Sequence, residues 1–149
     1  MTRILVIDAH PDPDPARFCH ALADVYAESA VGAGHAVERL ALSAIDIPVL
    51  SSRADWEDGE ASPAIREAQA MIARAEHLVI LFPLWLGDVP ALFYRWVYRA
   101  HSLKSLRSNI LRFVGIGPIR ETLIGNVEGS AGNRTEALAS MRRLGADAA

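Results

Sequence analysis

Two short runs of uninterrupted apolar residues, Ile4-Leu5-Val6-Ile7 and Leu78-Val79-Ile80-Leu81-Phe82, stand out from the mixed patterns around them. Strands covered on both faces read in this way, because neither face can be polar. The two runs are therefore expected side by side, as the central parallel strands of one sheet. Between them Phe18, Leu22 and Val25 recur at helical spacing until Gly32 and Gly34 stop the run, and residues 36–42 form a more polar strand suited to a sheet edge. Residues 51–61 read as a polar, solvated loop with Trp56 as a local anchor. Ser62-Pro63 then supplies an N-cap followed by proline at the first helical position, and Ile65, Ala68, Ile72 and Ala75 make one apolar stripe. This helix delivers the chain to the second apolar run.

Beyond Pro90, the residues Leu92, Trp96, Arg99, Leu103, Leu106, Ile110 and Phe113 alternate steps of four and three, which extends helical character over 91–114. One unbroken helix there would be ~35 Å long at ~1.5 Å per residue, against ~17 Å for a typical strand, so a break is expected near His101-Ser102. Gly115 and Gly117 end the helical stretch, 119–127 reads as a last strand and 133–144 as a closing helix. This order predicts an α/β fold with a doubly wound parallel sheet, in a single domain over 1–149.

Composition adds two constraints. With 51% hydrophobic and 22% charged residues, the chain is too apolar to be disordered over most of its length. The excess points to buried strands or an oligomer interface, and a homodimer is expected. A net charge of -3 gives no general attraction to nucleic acid or to anionic membranes. The basic residues from Arg95 to Arg112, with Tyr94, Trp96 and Tyr98 among them, fit a core or interface better than a nucleic-acid surface. The apolar region at 78–98 is interrupted by Pro83, Gly87, Asp88, Pro90 and Arg95, so it does not read as a membrane span of ~20 apolar residues. The single cysteine, Cys19, cannot close an intramolecular disulfide, and the four apolar residues after Arg3 are too few for a signal segment. The cytoplasm is the expected compartment.

Candidate chemistry gathers where the two apolar strands end. The first runs into His10-Pro11-Asp12-Pro13-Asp14-Pro15-Ala16-Arg17-Phe18, a loop placed to set a helix N-terminus at the carboxyl edge of the sheet. Free N–H groups and the helix dipole favour phosphate there. His10 and Arg17 can donate charge-assisted hydrogen bonds, whereas Asp12 and Asp14 must point away or meet a cation. A rigid proline-rich turn with no ligand is the alternative. The second strand runs into Phe82-Pro83-Leu84-Trp85-Leu86-Gly87-Asp88-Val89-Pro90-Ala91, where Trp85 and Leu86 offer flat apolar surface for a ring, or else plug the core. His20, His35 and His77 are scattered, and read as surface or packing residues.

Together the segments at 4–18, 46–50 and 82–91 resemble the flavodoxin-like NAD(P)H:quinone oxidoreductases, in which a strand ends in His, a Phe lies early in the first helix and a Pro-Leu-aromatic loop ends in Pro-Ala. The resemblance implies a flavin, FMN or FAD, with its phosphates at His10, Ala16, Arg17, Phe18 and Cys19 and its ring against Pro83, Leu84, Trp85, Leu86 and Gly87. It further implies hydride transfer from NAD(P)H to a quinone or similar small electron acceptor. Ala16 and Arg17 stand where small hydroxylated residues are usual in that family. After Ala91 the family's usual fourth strand and its Gly-rich turn are missing, so the implied sheet has four strands, ordered edge, first, third and last. No residue inherits the catalytic role of the missing turn.

Two other functions compete. A degenerate flavodoxin-like binding module without catalysis would share the fold. Ala9-His10-Pro11-Asp12 also resembles the Ala-His-Pro-Asp-Asp motif of zinc-dependent deacetylases, but Pro13 occupies the second Asp position and no paired distal ligand is evident.

Overall fold

The computed structural model describes residues 1–47, 52–83, 111–125 and 130–148. Its element order begins with β1 (Arg3–Asp8), α1 (Phe18–Gly32) and β2 (Ala36–Ala41), followed by a 3₁₀ turn at Leu42–Ala44. Then come α2 (Arg53–Glu57), α3 (Pro63–Arg74), β3 (His77–Leu81) and, last, α4 (Ala131–Ala146). The chain divides into two compact units, Met1–Pro83 with Asn126–Ala149, and Leu84–Gly125.

In the first unit a parallel sheet has the order β2-β1-β3. The two apolar runs are neighbours, with Ile4 opposite His77 and Asp8 opposite Leu81. The polar strand is at the edge, Arg3 opposite Ala36 and Asp8 opposite Ala41. Ile4, Leu5 and Val6 are almost completely buried, as continuous apolar runs require. Leu5, Ile7 and Leu40 form a cluster on which Ala68 and Met71 of α3 and Ala75, which caps it, pack. Met71 thus takes the place expected for Ile72, which is 40% exposed. The difference is one residue, about 100° of helical rotation.

Helix α1 buries Leu22, Ala23, Tyr26, Ala27 and Ala30, and α4 buries Ala137, Met141 and Gly145. The alanines and the glycine among them let the two helices approach closely: a Cβ on Gly145 would lie 2.5 Å from the Tyr26 carbonyl oxygen. Ser29 Oγ donates to the Arg142 carbonyl at 2.7 Å across the same seam. At the far end of α4 the Arg134 guanidinium lies 4.7 Å from the centroid of the Phe18 ring.

The expected caps form as written in the sequence. Ser62 Oγ accepts the Ile65 N–H at 3.3 Å, and Pro63 opens α3. Gly34, at φ +88°, closes α1, where His35 N–H reaches the Ala30 carbonyl and Gly34 N–H that of Val31. This paired reach is the Schellman ending, for which glycine alone carries no Cβ penalty. In the second unit the same pair of bonds recurs at Gly115 (φ +85°), from Ile116 to Leu111 and from Gly115 to Arg112.

Two expectations change. The polar loop at 51–61 contains the short helix α2, spanned by an Arg53–Glu57 ion pair one turn apart. Residues 119–125, expected to begin a last strand, carry no strand. Most of them are exposed, and Arg120, Glu121 and Gly125 interrupt the apolar positions that a covered strand would need. Residues 126 and 127 of that expected strand, and all of the helical pattern and junction from 84 to 110, lie outside the described residues. No helix among the described residues is long and apolar enough to cross a membrane.

Candidate functional site

Parallel pairing puts the ends of β1 and β3 at one edge of the sheet, and the Ala9 N–H extends the ladder to the Leu81 carbonyl at 2.8 Å. His10 and Phe82 therefore leave the sheet together, as the apolar runs predicted. Of the residues expected to hold a ligand, His10, Ala16, Arg17, Phe18 and Cys19 lie on the first loop and the opening turn of α1, and Pro83 follows β3. Leu84, Trp85, Leu86 and Gly87 lie outside the described residues.

The first loop is folded by its own carboxylates. Asp12 Oδ1 accepts the Asp14 N–H and Asp14 Oδ1 the Ala16 N–H, each at 3.0 Å. These are the local side-chain-to-backbone bonds that Asp makes in turns. Arg17 Nε reaches Asp12 Oδ2 at 2.7 Å and a terminal nitrogen lies 3.4 Å from Asp14 Oδ2. The cation that Asp12 and Asp14 require is thus Arg17 itself. The bond from the Asp14 backbone, followed by Arg17, holds the Asp12 carboxyl below its ordinary pKa.

Beneath this exposed layer lies a buried one. Asp8 is 6% and His10 7% exposed. Asp8 Oδ1 accepts the His10 N–H at 3.2 Å, while Asp8 Oδ2 lies 2.5 Å from His20 Nδ1. His20 Nε2 lies 2.9 Å from the Asp12 carbonyl oxygen. His10 Nδ1 accepts the Asp12 N–H at 3.1 Å, and the two imidazoles meet edge to face with centroids 5.2 Å apart. The Asp8 bond dominates in raising the His20 pKa. Burial, with the Asp8 charge behind it, pushes the Cys19 thiol up to about 11.

Asp8 and His20 are the site residues that motif reading missed. The available signal was an aspartate closing a buried apolar strand, since such a carboxylate needs a partner. The same geometry weighs against the deacetylase reading. The Asp12 carboxylate serves Arg17 and a backbone N–H, and His10 Nδ1 serves the Asp12 backbone, so the two side chains do not converge as metal ligands. Among the described residues no group of three or more His, Cys, Asp and Glu side chains is placed to hold a metal ion.

Helix α1 starts at Arg17 without a side-chain cap. The His20 N–H turns back to the Arg17 carbonyl, so the N–H groups of Phe18 and Cys19 are the donors that the opening turn leaves at the sheet edge. A phosphate fits such a pair, with Arg17 beside it.

A family described as having a flavodoxin-like fold matches residues 2–102 of the 149. The chain belongs to this flavodoxin-like family. The matched span contains all of the sheet, the loop at His10 and the segment after β3. Among solved structures, the flavodoxin-like chain is similar to an NAD(P)H:quinone oxidoreductase from Methanothermobacter marburgensis, at 21% identity and a TM-score of 0.71, over 99% of each chain. It is also similar to an azoreductase from Bacillus anthracis str. Sterne, at 15% identity and a TM-score of 0.64, over 98% of this chain and 99% of that one. At these identities the likeness concerns the fold. No curated protein matches the sequence.

Proposed function

We propose that this flavodoxin-like chain is a flavin-dependent oxidoreductase that passes hydride from NAD(P)H to a quinone or a similar small acceptor. The observation that carries the reading is the uncapped opening of α1 at the carboxyl edge of β1, beside the exit of β3, in a chain of the flavodoxin-like family. The Phe18 and Cys19 N–H groups and Arg17 would hold the flavin phosphate, with Ala16 leaving room at the loop tip and His10 buttressing the loop from below. By the resemblance, the candidates for the ring are Pro83 and, outside the described residues, Leu84, Trp85, Leu86 and Gly87. The flavin would supply the two-electron chemistry. The chain's own part is to bind, orient and shield. The names of the similar structures, a quinone oxidoreductase and an azoreductase, support the reaction class without fixing the acceptor. A cytoplasmic homodimer without nucleic-acid or membrane partners belongs to the same proposal.

Arg17 favours a second reading. Its guanidinium is already shared between two carboxylates of its own loop, so a phosphate must compete for it. A binding module without catalysis needs only that competition to succeed, not a complete ring site. Loading the protein with FMN or FAD and following NAD(P)H oxidation with a quinone separates the two. Quinone-dependent turnover supports the enzyme, flavin binding without turnover supports the module, and absence of binding contradicts both.

A further inference from the structure

We propose that His20 is a positioning residue that braces the 9–17 loop only as an imidazolium, so that the loop loosens as pH rises through the titration of this one ring. The case rests on what each ring nitrogen faces. A carbonyl oxygen can only accept, so Nε2, 2.9 Å from the Asp12 carbonyl, carries a proton. Asp8 Oδ1 accepts the His10 N–H, which leaves Oδ2 as the acceptor of a second ring proton from Nδ1, 2.5 Å away. Both bonds exist together only when the ring is doubly protonated. Either neutral tautomer sets a lone pair against an oxygen.

The surroundings oppose one another. Asp8 at the end of β1 and Asp24 one turn further along α1 favour the charged ring. The first turn of α1 disfavours a cation, because the helix dipole is positive there. Of the other elements against His20, the loop presents the Asp12 carbonyl and the His10 ring, edge to face. Arg17 is held outward on the Asp12 and Asp14 carboxylates. With its side chain 15% exposed and the Asp8 side chain 8%, a deprotonated His20 leaves a buried carboxylate without its cation, and either that carboxylate or the Asp12 carbonyl without its ring proton. The response left open is movement of the loop tip at 11–17, which is mostly exposed and held by the Asp12, Asp14 and Arg17 bonds within it, while the Ala9 N–H stays on the Leu81 carbonyl. This inference does not depend on flavin binding, and its test needs no ligand.

Two readouts on the intact protein decide it. Ring-nitrogen NMR shifts of His20 should be those of an imidazolium at pH 6.5, where an ordinary histidine is half titrated, with a midpoint above that value. Amide exchange at Asp12, Asp14 and Ala16, corrected for its intrinsic pH dependence and compared with amides of β1, should accelerate about tenfold across the same midpoint, as expected for loss of one charge-assisted hydrogen bond. In a His20→Gln variant that step should vanish. A neutral Nε2–H ring at pH 6.5 would overturn the proposal. So would loop exchange that does not follow the His20 midpoint, or a step that survives in H20Q. Should H20Q fail to fold, the two wild-type measurements decide alone.

Discussion

Cys19 illustrates how position sets reactivity. It is the second residue of α1, where a helix N-terminus ordinarily lowers a thiol's pKa. Burial and the Asp8 carboxylate prevail here, and the thiol sits at about 11. At pH 8 the native protein should therefore react with iodoacetamide roughly two orders of magnitude more slowly than the unfolded chain, whose cysteine has a pKa of ~8.5. Equal rates would contradict the half-buried placement beside Asp8. The charged residues also set a pH window for stability. Asp12, Glu38 and Glu76 are each held below the ordinary carboxylate range, by the Asp14 backbone, by Arg74 and by the Arg3 backbone respectively. A depressed carboxylate contributes stability above its unfolded pKa of ~4 and loses it as pH falls through the folded value. His20 is raised, so its contribution is complete below ~6.5 and is lost as pH rises through the folded value. Denaturant midpoints should be highest between these limits and fall on both sides. A midpoint still rising from pH 6 to 8 would contradict the His20 assignment.

Among the elements, the seam between α1 and α4 is the contact where sequence spacing gave least warning. Ala137, Met141 and Gly145 fall four residues apart and face the small residues of α1, but a glycine inside a helical pattern reads from sequence as a weak point. Its reason is the Tyr26 carbonyl, 2.5 Å from where a Cβ would sit, with Ser29 Cβ at 3.0 Å. Gly145→Ala should cost about 1–3 kcal/mol in chemical denaturation, despite alanine's better helix propensity, because backbone rather than a flexible side chain must yield. A stabilised variant would contradict the packing. The strands were easier to read, since the unbroken apolar runs at 4–7 and 78–81 mark β1, buried on both faces, and β3, half-buried at an edge of the described sheet. Ser62-Pro63 and Gly34 announced helix ends through backbone chemistry that needs no distant partner. Helix α2 and the lack of a strand at 119–125 were hidden because neither follows from a local apolar period. His20 was hidden for a related reason: its partners come from a strand and a loop that only the fold brings together.

For the whole molecule, membership of the flavodoxin-like family and the β2-β1-β3 order place one loop and one helix start where such sheets bind ligands. The loop at His10 leads to a helix start with no side-chain cap and has its charges committed to one another: Arg17 to Asp12 and Asp14, His20 to Asp8. The central claim is therefore about binding before it is about turnover. Titration of the purified protein with FMN and with FAD, followed by flavin fluorescence, tests it most directly. Saturable binding of at least one flavin by the wild type, abolished by Arg17→Glu in a variant with unchanged circular dichroism, is the predicted result. Failure of the wild type to bind either flavin at high micromolar concentration, or undiminished binding by the Arg17→Glu variant, would contradict it.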